Sequence, residues 1–176
     1  MPEQHAGALS ILTNAIDMER EGMAFFEDVA SSSKHQRTRD TFSSLAKQEQ
    51  KHVEVLSEEL RRLEQGKDWL SLEDARSAPV QYQKISVFKD KEIRRNKVDS
   101  EAGELEALKL GIKIEMKSID YYRNAGQASA DPKAREIFNW LVGEEGGHLT
   151  ILNAEYEYRI KSGFYYDNME FSLEVE

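Results

Sequence analysis

Residues 45–56, LAKQEQKHVEVL, and residues 141–152, LVGEEGGHLTIL, carry one pattern 96 positions apart: a leucine, then Glu-x-x-His, then a leucine, in identical register. Working outward from these stretches, the register holds without a gap. Leu9 falls on Leu105, Leu12 on Leu108, Ile16 on Ile112, Glu19 on Glu115, Phe26 on Tyr122 and Phe42 on Phe138. A fixed period of this kind marks a duplicated supersecondary unit. Apolar residues within each copy recur in alternating steps of three and four, the signature of a helix with one buried stripe.

Four such stripes are present. The first runs Leu9, Leu12, Ile16, Glu19, Met23, Phe26 and Ala30 and is broken by Ser31, Ser32 and Ser33; the second runs Phe42, Leu45, Glu49, His52, Leu56, Leu60 and Leu63. The third runs Leu105, Leu108, Ile112, Glu115, Ile119, Tyr122 and Gly126, with Asp99 or Ser100 as candidate cap and Glu101 and Glu104 in the favourable first turn. Asp131 before Pro132 predicts a cap and first-turn proline for the fourth, through Phe138, Leu141, Glu145, His148, Leu152 and Tyr156, with Gly163 expected to end it. The expected fold is all-α: a four-helix bundle built from two duplicated helical hairpins.

Between Glu64 and Val98 the periodicity fails, and a connection this long is unusual unless it crosses something. It has the reach to start the third helix parallel to the second, and also to deliver the second hairpin to a partner chain. The expected organisation is a bundle over residues 1–163, with a crossover linker at 64–98 that could hold one or two short helices, and a tail at 164–176.

A chain of 176 residues suits one domain. No apolar run reaches the length of a membrane span and the start, MPEQHAGALS, lacks signal-peptide character, so a soluble cytoplasmic protein with no membrane partner is expected. Acidic residues outnumber basic ones 33 to 24, which argues against nucleic acid as a partner. The absence of cysteine excludes disulfides, a thiol nucleophile and an iron–sulfur or rubredoxin-type centre in this chain.

The polar residues inserted into the stripes carry the chemistry. Glu19, Glu49, His52, Glu115, Glu145 and His148 occupy positions where apolar side chains belong. Four buried carboxylates would repel one another and lose hydration, a cost of several kcal/mol each. Two divalent cations supply the matching charge, and two imidazoles complete the coordination. Residues three apart share a helix face, so Glu49 with His52 and Glu145 with His148 can each reach a common ion. Carboxylate and imidazole donors suit iron or manganese; zinc would bind without redox chemistry. A two-metal site of this composition is a known use of a bundle core. His5 and His35 are expected to be solvated, and Glu144, about 100° around the helix from Glu145, to be exposed.

These motifs resemble the ferritin-like diiron carboxylate proteins, and within them the rubrerythrin family. AIDMEREGMAFFEDVA at 15–30 is similar to that family's first ligand helix, and the two Glu-x-x-His stretches to its second and fourth; the likeness covers about residues 8–160. It implies a diiron centre with Glu49 and Glu145 bridging and Glu19 and Glu115 terminal. It also implies oxidation of a diferrous centre by hydrogen peroxide or dioxygen, with Tyr122 beside the ligands. Three departures stand out: Ser118 replaces an additional glutamate one turn after the third-helix ligand, the rubredoxin domain is absent, and Phe26 replaces a tyrosine near the metals. An electron donor on a separate protein is therefore expected, together with a homodimer that a long linker could turn into a swapped one. Alternative expectations are a ferroxidase or iron-handling role, and a metal-stabilised bundle without turnover.

Overall fold

The computed structural model describes the backbone of residues 6–78 and 101–172, and side chains over 7–78 and 103–161. It contains α1 (Ala6–Ser32), α2 (Gln36–Glu64), α3 (Leu72–Ser77), α4 (Glu101–Ala128) and α5 (Pro132–Ser172), with no strand among the described residues. Among the described residues no helix is long and apolar enough to cross a membrane.

The helix boundaries follow from local chemistry. The Ser31 and Ser32 hydroxyls donate back to Asp28 O at 2.9 and 2.6 Å, diverting the last turn of α1. At the start of α2, His35 makes no side-chain cap bond. A carboxylate from another helix acts instead: Glu104 Oε1 of α4 accepts from the Lys34 and His35 N–H groups at 2.7 and 3.3 Å. Gly66 ends α2 at φ +70°, and Lys67 N–H donates to Arg62 O at 3.0 Å, the left-handed closure that glycine favours. Ser71 caps α3, accepting from Asp74 N–H at 3.1 Å. Asp131 Oδ1 caps α5, accepting from Lys133 N–H at 2.8 Å, with Pro132 in first place.

Cross-helix contacts fix the directions. Tyr121 O–H donates to Ile11 O, Gly22 lies beside Ile114, and Glu104 meets residues 34 and 35, so α1 and α4 are antiparallel. Thr38 meets Glu155, His52 meets Glu145 and Trp69 meets Phe138, so α2 and α5 are antiparallel as well. Since α1 and α2 pair as a hairpin, α4 runs parallel to α2, as the long connection requires. A pseudo-two-fold axis perpendicular to the bundle therefore exchanges the hairpins and brings the repeated residues to one depth.

Two apolar clusters flank that depth. One gathers Leu12, Ile16, Leu56, Trp69, Phe138 and Leu141; the other gathers Phe26, Val29, Phe42, Leu45, Leu108 and Leu152. Gly111 permits the second to close, because a Cβ there would lie 3.3 Å from Leu152 and 3.4 Å from Phe26.

One expectation needs correction. Gly163 does not end the last helix: α5 continues to Ser172, so residues 164–172 of the expected tail are helical. A helical glycine costs only about 1 kcal/mol relative to alanine and no proline follows it, so the stop signal is weak. Among its described residues the crossover holds one short helix, α3, within the expected one or two; Ala75 of α3 and the preceding Trp69 lie in the core. The rest of that linker, with the candidate caps Asp99 and Ser100, lies in 79–100, outside the described residues; so do His5 and residues 173–176.

Candidate metal centre

All six residues singled out by the repeat converge between the apolar clusters, and each is at most 3% exposed. They form two overlapping sets of donors, Glu19, Glu49, His52 and Glu145 in one, Glu49, Glu115, Glu145 and His148 in the other; within each set one atom per residue lies within 4.8 Å of the rest. The two histidines aim Nδ1 inward. His52 Nδ1 is 3.3 Å from Glu19 Oε2, 3.2 Å from Glu49 Oε2 and 3.2 Å from Glu145 Oε1. His148 Nδ1 is 3.0 Å from Glu49 Oε1, 3.6 Å from Glu115 Oε1 and 3.0 Å from Glu145 Oε2. Glu49 and Glu145 thus belong to both sets and turn opposite oxygens to each, whereas Glu19 and Glu115 belong to one set apiece. The imidazole rings stack with centroids 5.4 Å apart.

The protonation pattern follows from crowding. Burial raises Glu19, reinforced by the charges of Glu49 and Glu145, and burial pushes Glu115 up to about 9. Burial also acts upward on Glu49, but hydrogen bonds involving Glu19, His148 and His52 outweigh it and hold Glu49 well below the usual carboxylate range. Glu145 is lowered similarly: His148 and His52 overcome burial and the Glu49 charge. Burial works against protonated imidazole, yet the facing carboxylates raise His52 strongly and push His148 up to about 12. The crowded acids thus divide into two driven toward the protonated form, Glu19 and Glu115, and two held toward the charged form by the facing imidazoles, Glu49 and Glu145.

The residues suit a pair of divalent ions on two further grounds. Glu115 Oε1 and His148 Nε2 are buried without a hydrogen-bond partner among the described residues, an arrangement that costs about 1–3 kcal/mol per group unless something binds them. The donors are carboxylate oxygens and imidazole nitrogens, the chemistry preferred by iron, manganese and zinc.

A Rubrerythrin family model matches residues 10–156. The chain belongs to the rubrerythrin family. No curated protein and no solved structure matches it. In this rubrerythrin-family bundle the buried Glu/His group is one that can bind metal, and it coincides with the family's helical core.

The surroundings of the cluster differ between the halves. Tyr122 is fully buried and its hydroxyl donates to Glu19 Oε1, while burial and the Glu19 charge raise its pKa well above the ordinary value. Phe26 holds the equivalent place in the other half and offers no hydroxyl. Ser118 is buried one turn after Glu115. Glu144 departs from expectation: it is half-buried, and Trp140 Nε1–H donates to its Oε1 at 3.0 Å. His35 is half-exposed, with its ring 3.9 Å from Glu104.

Sequence reasoning missed a second layer of buried charge. Glu155 accepts from Arg37 Nε at 2.5 Å and from Thr38 Oγ1 at 3.1 Å; Glu104 accepts from Arg159 at 2.9 Å; among the described residues Glu59 accepts only a 3.3 Å bond from Leu70 N–H. A signal was available for two of them. Glu59 and Glu155 each follow the ligand histidine by seven residues and are themselves 96 apart, so both lie on core stripes at repeated positions.

Proposed function

We propose that the protein is a diiron oxidoreductase of rubrerythrin type, in which hydrogen peroxide or dioxygen oxidises a diferrous centre held by Glu19, Glu49, His52, Glu115, Glu145 and His148. The carrying observation is the sharing of Glu49 and Glu145 between two four-donor sets, each through opposite oxygens. Two bound iron ions would supply redox electrons and Lewis acidity.

The chain's own residues set the conditions for that chemistry. Glu49 and Glu145 bridge the two sets, and Glu19 and Glu115 close them from α1 and α4. Tyr122 fixes the orientation of Glu19 and keeps a proton beside it. The flanking apolar clusters exclude bulk water, which strengthens every electrostatic contact inside. With no cysteine in the chain, continued turnover needs electrons from a separate donor protein. A homodimer is part of the same proposal.

The test is anaerobic loading with Fe(II), then rapid mixing with peroxide or with oxygen in a spectrophotometer. Oxidation of the ferrous protein by at least one oxidant is expected. Ser118 lacks the carboxylate found one turn after the third-helix ligand in rubrerythrins proper, so a weaker preference for peroxide is expected, increased in Ser118→Glu. No reaction with either oxidant sinks the redox assignment and leaves a metal-stabilised bundle.

A further inference from the structure

Trp140 stands outside the six-donor cluster, and three groups touch it in a combination that the proposed reaction leaves unused. Its indole meets the His52 ring edge-on, with centroids 5.5 Å apart at 88°. Its Nε1–H donates to Glu144 Oε1 at 3.0 Å, and the Arg76 guanidinium lies 5.5 Å from the ring centroid. Trp140 and Glu144 are half-buried and Arg76 is exposed, so this group links a proposed ligand to the solvent side of the bundle. Trp69 differs: it is only 4% exposed and reaches the cluster through Phe138 and Tyr122.

Indole is among the side chains most readily oxidised by one electron. A cation over the ring face is attracted to the neutral ring and repels a ring that has become positive. Electron loss beneath Arg76 is therefore favoured when the N–H proton leaves at the same time, and Glu144 is placed to receive it. We propose that Trp140 is a one-electron donor to the metal centre, sending its electron through His52 and its indole proton to Glu144, when peroxide finds only one electron available from the metal.

This inference rests on the oxidoreductase reading above. Cleavage of the O–O bond of peroxide takes two electrons and two protons and gives two waters. A ferrous pair supplies both electrons. A single ferrous ion supplies one and the indole the other, so Fe(II), tryptophan, hydrogen peroxide and one solvent proton become Fe(III), a neutral indolyl radical and two waters. Glu144 passes the indole proton on to solvent, which makes up the second proton consumed, so the carboxylate ends the step unchanged.

The full chain loaded with one Zn(II) and one Fe(II) limits the centre to one electron, because zinc has no redox chemistry. One equivalent of peroxide is added, and the mixture is freeze-quenched and read by electron paramagnetic resonance, with ring-deuterated tryptophan to identify the radical. The expected result is an indolyl radical that falls at least tenfold in Trp140→Phe and persists in Trp69→Phe. Fe(II) oxidised with no such radical, or an equal radical in Trp140→Phe, overturns the role of Trp140 alone. Fe(II) left untouched by peroxide in this mixed-metal chain overturns this inference, while the oxidoreductase reading stands or falls on the diferrous test above. In the metal-free chain, a photogenerated one-electron oxidant should give the neutral radical in the native protein and the protonated radical cation in Glu144→Gln; the cation in both overturns the proton transfer.

Discussion

Glu59 shows what burial does to a carboxyl that lacks a cationic partner of its own. It is fully buried at the Trp69 end of the bundle, and burial pushes its pKa up to about 7. Between the unfolded value of 4.5 and that folded value, the native state keeps a proton that the unfolded chain releases. Stability contributed by this group is therefore complete below pH 4.5, falls as pH rises to about 7, and stays low above it; the full shift corresponds to about 3 kcal/mol. Glu59→Gln should match the native protein near pH 4 and exceed it at pH 8 by about 1–3 kcal/mol in urea titrations. A constant difference across pH would contradict the account. Its repeat partner Glu155 has Arg37 and Thr38, so the duplication kept the acid at both positions and partnered only one fully. The six cluster residues were legible because spacing, stripe phase and repetition coincide. Glu104 was not, since it interrupts no repeated stripe and reads as first-turn charge until the helices are packed; Arg159 replaces Leu63 in the repeat, but one long cation at the end of a stripe reads as surface charge.

At the scale of elements, α2 depends on α4 for its first turn. Glu104 accepts from residues 34 and 35 on one side and from the Arg159 guanidinium on the other, so a single carboxylate ties the α1–α2 turn to both helices of the second hairpin. Arg159→Met leaves a buried carboxylate without this cation and should cost about 3 kcal/mol in chemical denaturation. Loss of the local cap in Asp131→Ala should cost only about 1 kcal/mol. Equal costs would mean that Glu104 is held as well without Arg159. The four bundle helices and the crossover were readable from periodicity and linker length. The continuation of α5 past Gly163 was not, because one glycine raises the cost of a helix without forbidding it. The α2 start was hidden too, for its capping group lies 69 residues away in sequence.

Across the whole molecule, the pseudo-two-fold axis converts a repeat in sequence into a pair of facing half-sites. His52, His148, Glu19 and Glu115 all have raised pKa values, and each must lose its proton to become a ligand. Loading at neutral pH should release protons, and affinity should rise from pH 6 to 8; a pH-indicator titration in weak buffer reads both, and uptake with no proton release would contradict the raised values. The central claim is that Glu49 and Glu145 tie two metal positions into one site. Anaerobic equilibration with Fe(II) followed by elemental analysis tests it most directly. The account predicts about two ions per chain in the native protein, about one in His52→Ala or His148→Ala, and none in Glu49→Ala or Glu145→Ala. Equal loss in all four variants, or a native protein that takes up no metal, would contradict it.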